Sequence, residues 1–169
     1  MTTRRPKSKK AGKAVHHACA QKTLKISAKA RYALRALLDI AAADAGGSPR
    51  TGAAIAAAQQ ISEKFLSRIV IPLRVNGILR SVRGNVGGFR LARRPEDITL
   101  LEVVEAVQGP VALLDCLMPE RNCPRRNGCL ARRVWEDVNA SFRRTLSSVT
   151  LAAILRRGSL DAATRDFCI

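Results

Sequence analysis

Three cysteines that could bind a metal or react with an oxidant lie close together in the chain. Cys116, Cys123 and Cys129 fall within fourteen residues, with six and five residues between successive members. Zinc sites usually supply four ligands in short, paired spacings, whereas iron–sulfur clusters are held by cysteine thiolates at more varied spacing. The residues alone leave three interpretations open: a cluster or metal site, a thiol redox switch, or cysteines that are merely small apolar residues.

The surroundings of these three cysteines, called the cysteine trio below, favour reactive thiolates. Pro119 and Pro124 are expected to keep the connecting segment extended, so that it can wrap around a small ion or cluster. Nearby positive charge would stabilise the thiolate form, which helps cluster binding and oxidation alike. This charge comes from Arg121, Arg125, Arg126, Arg132 and Arg133. Cys19 and Cys168 lie near the two ends of the chain and are not assigned to this site.

A second group of polar residues could contact DNA. Four of them begin a predicted helix that follows a short turn, and the major groove is read by polar side chains near the start of such a helix. They are Ser62, Lys64, Ser67 and Arg68. Arg83 and Asn85 lie in a glycine-rich hairpin, from which they would reach phosphates or the minor groove. The alternative is that all of them are ordinary solvated residues on an outer surface.

The composition favours duplex DNA as the partner. Thirty Lys and Arg against thirteen Asp and Glu give a formal charge of +17, which suits a polyanion or an anionic membrane surface. Four Phe, one Tyr and one Trp supply few stacking platforms for single-stranded nucleic acid. Because no long apolar run or signal-peptide pattern is present, we expect a cytoplasmic protein without membrane contact. In that reducing compartment, an odd number of cysteines favours metal or redox chemistry over disulfides.

Helices would position the candidate DNA-binding residues. Apolar residues at three- and four-residue spacing predict a first helix from Ser27 to a stop at Gly46. A short Ala-rich helix after Thr51 and a third helix capped by Ser62 predict a helix-turn-helix. Residues 78–91 then read as two short strands around a tight loop, which is a wing.

A long helix would follow the cysteine trio. A capping box at Thr99 and Glu102 predicts a helix that Gly109 closes, and a loop comes next. From Cys129 onward, apolar residues repeat every four positions, which indicates an amphipathic helix whose apolar stripe needs a partner. The stripe comprises Leu130, Val134, Val138, Phe142 and Leu146. A chain this small has little core to cover the stripe, so we expect a second subunit to do so.

The predicted fold class is mainly α with a small β-hairpin. Residues 1–23 hold seven basic residues and no acid and are expected to form a disordered basic arm, which either adds phosphate contacts or is a passive extension. Residues 24–109 form the winged helix-turn-helix domain and 110–128 the cysteine-bearing loop. Residues 129–157 form the dimerisation helix and a closing short helix that starts near Thr150, and 158–169 a flexible tail.

Several strings of residues make the chain similar to the Rrf2-type winged-helix transcription regulators. They are the runs 25–34 and 73–79, the wing string 81–91, and the cysteine trio before Trp135. The resemblance extends from about Leu24 to Leu155. It implies a homodimer with a winged-helix head and a long dimerisation helix. It also implies an iron–sulfur cluster, 2Fe-2S or 4Fe-4S, on Cys116, Cys123 and Cys129.

Departures from the family pattern leave the fourth cluster ligand open. The His that serves the family's iron–sulfur regulators three residues after the last cysteine is Arg132 here, and the Asp of some nitric-oxide sensors is Arg31. Other candidates are Asp115, Glu120, an external thiol or water, and less suitably His16 and His17 in the arm. Ser67 and Arg68 stand where relatives carry Glu and Gln, so their target sequence does not carry over.

The sequence thus predicts a DNA-binding transcription regulator, acting as a repressor, whose DNA affinity is controlled by an iron–sulfur cluster that senses iron, nitric oxide or redox state. The alternatives are a cluster-free thiol switch and a basic architectural protein that coats nucleic acid. We do not expect an enzyme. The sequence has no phosphate-cradling glycine loop, no zinc-protease motif and no Cys-His pair outside the arm.

Overall fold

The structure is a computed structural model that describes residues 26–84, 87–118, 120–121, 123–124 and 126–161. Within these residues, the predicted fold class is confirmed. The helices are α1 (Ala28–Ala45), α2 (Gly52–Gln59), α3 (Glu63–Val75), α4 (Leu100–Gln108), α5 (Leu130–Ser148) and α6 (Leu151–Asp161), and the strands are β1 (Leu79–Val82) and β2 (Gly88–Leu91). None of the described helices is both long enough and apolar enough to span a lipid bilayer. The predicted basic arm lies outside the described residues.

Local capping signals account for where the first three helices begin. The side chains of Ser27, Thr51 and Ser62 each accept a hydrogen bond from a backbone N–H of the first helical turn. Such caps satisfy donors that have no partner within the helix. Gln60 adopts a left-handed conformation, with φ 54°, and ends α2 three residues before α3 begins. The predicted helix-turn-helix is therefore present in α2 and α3.

One apolar core holds the winged-helix head (α1–α4, β1 and β2) together and also includes the start of α6. Its largest fully buried side chains are Leu37, Ile40, Ile55, Ile69, Leu73, Ile78, Ile98, Val103 and Leu151. Leu151 belongs to α6, and its N–H donates to the carbonyl of Ile98 over 3.0 Å. The N–H of Leu100 in turn donates to the carbonyl of Val149 over 2.8 Å. The C-terminal end of α5 is thus fastened to the start of α4.

The predicted capping box at the start of α4 is present. The Thr99 hydroxyl accepts from the Glu102 N–H, and the Glu102 carboxylate accepts from the Thr99 N–H. Burial raises the pKa of Glu102, but hydrogen bonds from the Thr99 backbone, the Arg93 side chain and the Thr99 hydroxyl outweigh it and bring the pKa below its ordinary value. Glu102 is therefore ionised near neutral pH and completes the cap.

The wing includes a contact that the sequence did not predict. β1 and β2 pair antiparallel, with Leu79 opposite Leu91 and Val82 opposite Gly88. Arg50, which precedes α2, exchanges two backbone hydrogen bonds with Phe89 of β2, of 3.0 and 2.8 Å. A bridge made by one residue leaves no alternating apolar pattern in the sequence, so it could not be predicted from the sequence. It fixes the wing against the start of the helix-turn-helix.

The closing helix is longer than predicted. α6 runs to Asp161, whereas the predicted boundary with the tail is at 157. Gly158 lies inside the helix. A glycine in a helix interior costs about 0.5–1 kcal/mol relative to alanine, which weakens a helix without ending it.

Candidate DNA interface and cysteine loop

The outer side of α3 presents part of the predicted DNA-binding group to solvent. Leu66, Ile69 and Leu73 are buried, which turns Lys64 and Arg68 outward. In the part of the chain that the structure describes, neither of these two side chains has an ion pair or hydrogen bond within the protein. Both cations are therefore available to a ligand that approaches α3 from outside.

The two serines of the predicted group are exposed but already engaged with the helix backbone. The Ser62 hydroxyl accepts from the Phe65 N–H over 3.2 Å, and the Ser67 hydroxyl donates to the Glu63 carbonyl over 2.9 Å. Both hydroxyls keep a further acceptor lone pair. Each hydroxyl is thus partly engaged within the described part of the protein, unlike the side chains of Lys64 and Arg68.

Some arginines of the winged-helix head form ion pairs within the part of the chain that is described, whereas others do not. Arg50 pairs with Asp39 over 3.2 Å, and Arg90 pairs with Asp44 over 2.6 Å. Arg83 is exposed just after β1, where no acidic partner engages it within the described residues. Asn85, the other predicted wing residue, lies outside the described residues. The outward cations of the head thus include Lys64, Arg68 and Arg83.

The cysteine trio consists of free, partly buried thiols. Cys116 lies in a short 3-10 turn, Asp115–Leu117, and Cys129 is the residue from which α5 begins. Cys123 lies between them and is likewise partly buried and not in a disulfide. Across the described ranges, no three His, Cys, Asp or Glu side chains gather closely enough to hold one metal ion. The three thiols are therefore free, and within the described residues they do not gather around a common centre.

Arg132 connects this segment to α5. Its Nη1 donates to the carbonyl oxygen of Cys116 over 2.5 Å, and its Nε donates to Glu136 over 2.7 Å. The Arg132 side chain is only 10% exposed. The residue that replaces the family's histidine thus lies against the cysteine loop as a structural anchor. The charge of Arg132 and its unsuitability as a ligand are evident from the sequence, whereas its contact with Cys116 is not.

Further hydrogen bonds fasten the first part of the loop to α4 and α5. The Leu113 N–H donates to Asn139 of α5, and the Val111 N–H donates to Glu105 of α4, each over 3.0 Å. Arg143 pairs with the same glutamate. Asn139 and Arg143 were not singled out from the sequence. The sequence places both residues away from the apolar stripe of α5, but it does not show which elements pack against that side of the helix.

The apolar stripe of α5 divides into an exposed and a packed part. Leu130 is 79% exposed, Val134 61% and Val138 45%. Phe142 and Leu146 instead pack against the core of the head. Trp135 is also 44% exposed near the start of the helix. The half of α5 that follows the cysteine loop therefore presents an uncovered apolar surface.

Comparisons with known proteins agree with this architecture. The sequence profile of the Rrf2 family, described as "Iron-dependent Transcriptional regulator", matches residues 26–157. The transcriptional regulator IscR of Photorhabdus laumondii is 34% identical over 144 residues, which cover 85% of this chain and 87% of that protein. The protein rrf2 of Nitratidesulfovibrio vulgaris is 36% identical over 137 residues, covering 81% and 91%. The solved structure of CymR, the global cysteine regulator of B. subtilis, has a TM-score of 0.64 at 30% identity, covering 80% of this chain and 98% of that one.

Proposed function

This chain belongs to the Rrf2 family of DNA-binding transcription regulators, and from that membership we propose that it binds an operator in duplex DNA as a homodimer and that an iron–sulfur cluster on Cys116, Cys123 and Cys129 controls its affinity. The observation that carries the proposal is the position of three free, partly buried thiols in one segment that runs directly into α5. Relatives carry the names of transcription regulators and not of enzymes.

The outward cations support DNA recognition through α3 and the wing. Lys64 and Arg68 lie near the start of α3, the end of a recognition helix that meets base edges in the major groove. Arg83 lies on the wing, which suits a phosphate or minor-groove contact. Asn85 and the hydroxyls of Ser62 and Ser67 complete the proposed interface.

The exposed half of α5 supports a homodimer. Leu130, Val134 and Val138 form an apolar strip that is costly to leave in water. A second copy offers an identical strip, and a two-fold axis through the helix pair would cover both. We therefore assign the dimer interface to this part of α5.

The chemistry of the cysteine trio fits an iron–sulfur cluster. Cysteine thiolates are the usual ligands of such clusters, and the family description names iron dependence. Cys116, Cys123 and Cys129 would hold the cluster, which when bound supplies a centre that reacts with oxidants or nitric oxide. Arg132 cannot be the fourth ligand because a guanidinium stays protonated and has no lone pair to offer. Asp115, Glu120 and an external ligand remain the candidates.

A cluster-free thiol switch is the second candidate function. The same three thiols could form a reversible disulfide, and the solved relative CymR is described as a cysteine regulator. In either case the control passes through the same contacts. Arg132 and Asn139 join the loop to α5, and the end of α5 is fastened to α4 near Ile98. A change in the loop would thereby alter the spacing of the two DNA-binding heads.

Purification without oxygen tests this proposal. We expect the full chain to contain iron and sulfide and to absorb visible light. Alanine at Cys116, Cys123 or Cys129 should remove the iron and leave the dimer intact, because the apolar strip of α5 does not depend on sulfur. Alanine at Cys19 or Cys168 is the matched control and should leave the iron content unchanged. Wild-type protein without iron or sulfide, but with a reversible disulfide within the trio, would establish the thiol switch instead.

A further inference from the structure

The outward side of α3 carries exposed apolar residues as well as cations. Ile71 and Val75 are 59% and 81% exposed, and both lie on this same helix. With Lys64 and Arg68 they follow a spacing of four, three and four residues, which places all four side chains in one line along an α-helix. The line faces away from the buried Leu66, Ile69 and Leu73. It is therefore a stripe that begins cationic and ends apolar.

The apolar part lies within reach of the surface that the cations would contact. At about 1.5 Å of rise per residue, Ile71 is about 4.5 Å beyond Arg68 along the axis of α3. Val75 is the last residue of α3, about 10 Å beyond Arg68. Ile71 therefore follows the cations directly, whereas Val75 lies where the helix ends and the chain turns into the wing.

Duplex DNA offers one large apolar group in the groove that admits a helix, namely the methyl group of thymine. We propose that Ile71 packs against a thymine methyl in each half-site and so determines part of the sequence specificity. This inference rests on the proposed role of α3 as the recognition helix and adds the base that its apolar part would select.

A second copy of the chain is a less suitable cover for Ile71. The stripe on α3 consists of two cations and two apolar residues, so a second copy packed against it would offer Lys64 and Arg68 no anionic partner from its own stripe. The exposed strip on α5 also supplies a separate surface for the dimer. DNA, by contrast, offers the cations base-edge acceptors and phosphates and offers Ile71 a methyl group.

The test removes only the methyl group of the base. Binding sites are first selected from a random duplex library with the full-length protein. Each thymine of the selected site is then replaced by deoxyuridine, symmetrically in both half-sites, and dissociation constants are measured for wild type, Ile71→Ala and Val75→Ala. Uracil keeps the hydrogen-bonding edge of thymine, so a changed affinity reports the methyl contact alone.

We expect one thymine whose replacement weakens wild-type binding about fourfold per half-site, the value for burying one methyl-sized group. Ile71→Ala should be insensitive to that replacement, and Val75→Ala should respond as wild type does. If no thymine replacement affects wild type and Ile71→Ala differently, the inference is overturned. The proposed role of α3 as the recognition helix is not affected by that result. The inference would also be overturned if Ile71→Ala weakened the dimer but responded to deoxyuridine as wild type does. Failure to select any sequence would instead contradict the proposed function itself.

Discussion

Gly88 determines how closely the wing approaches the segment before α2. A Cβ at this position would lie 2.5 Å from the carbonyl oxygen of Arg50, which is backbone and cannot move aside without breaking the bridge to Phe89. We expect Gly88→Ala to destabilise the protein by about 1–3 kcal/mol, measured by thermal unfolding. Gly158→Ala is the control, because a Cβ there meets nothing within 4 Å and alanine inside α6 should leave the melting temperature at or above that of wild type. Equal melting temperatures for Gly88→Ala and wild type would refute the close approach.

Arg68 is the residue of α3 most suited to read a base. A guanidinium can bind guanine through two hydrogen bonds, and Arg68 is exposed without a partner in the described part of the protein. Arg68→Ala should weaken operator binding by about 1–3 kcal/mol more than binding to random DNA.

The wing residue Arg83 provides the comparison for Arg68. Because we assign Arg83 to a phosphate, its replacement by alanine should weaken binding to operator and to random DNA alike. The slope of log affinity against log salt should fall by about 0.9 for each Arg83 contact that is lost. If Arg68→Ala also weakens both kinds of DNA equally, Arg68 is not a base reader.

At the scale of elements, α5 is predicted to form the dimer through its exposed half. Val134→Asp would place two carboxylates in a surface that becomes buried on association. We expect the dimer dissociation constant to rise by on the order of 100-fold or more, measured by analytical ultracentrifugation. Ala42→Asp introduces the same charge at an exposed position of α1 and should leave the dimer unchanged. A Val134→Asp protein that dimerises like wild type would place the interface elsewhere.

The cysteine loop is predicted to depend on Arg132 for its attachment to α5. In the turn that contains Cys116, the N–H of Leu117 donates to Leu114 and that of Met118 to Asp115. Without the hydrogen bond from Arg132 to the Cys116 carbonyl, this turn should open more often. Loss of one hydrogen bond with a charged partner corresponds to at least about tenfold faster amide exchange.

Hydrogen–deuterium exchange of the full-length protein measures this effect at Leu117 and Met118. Arg133→Ala is the control, since Arg133 is the exposed neighbour on the same helix turn. Equal exchange rates in Arg132→Ala and Arg133→Ala would show that Arg132 does not anchor the loop.

The elements themselves were largely predictable, because local signals mark their ends. Ser27, Ser62 and the pair Thr99–Glu102 cap helices as the sequence indicates. The contacts that complete the two sites were not predictable. The Arg50–Phe89 bridge and the Arg132–Cys116 hydrogen bond join distant residues, and no periodicity records which surfaces tertiary packing brings together.

In the whole molecule, a series of contacts among the described residues joins Cys116 to the winged-helix head. Cys116 is joined to α5 through Arg132, and α5 continues into α6, whose Leu151 is buried in the core of the head. The same core includes Ile69 and Leu73 of α3. In the proposed dimer, a ligand that favours one arrangement of the loop would therefore favour one arrangement of the two α3 helices.

We propose that the state of the cysteine trio sets DNA affinity, and one titration measures this coupling. Operator affinity is measured without oxygen on a single preparation of the dimer, before and after its iron is removed, together with Cys116→Ala. We predict that removing iron changes the dissociation constant by about 5- to 150-fold, the usual range of allosteric coupling. Cys116→Ala should have the iron-free value throughout. An operator affinity that stays the same while iron is lost, and equals that of Cys116→Ala, would show that the cysteine trio does not control DNA binding.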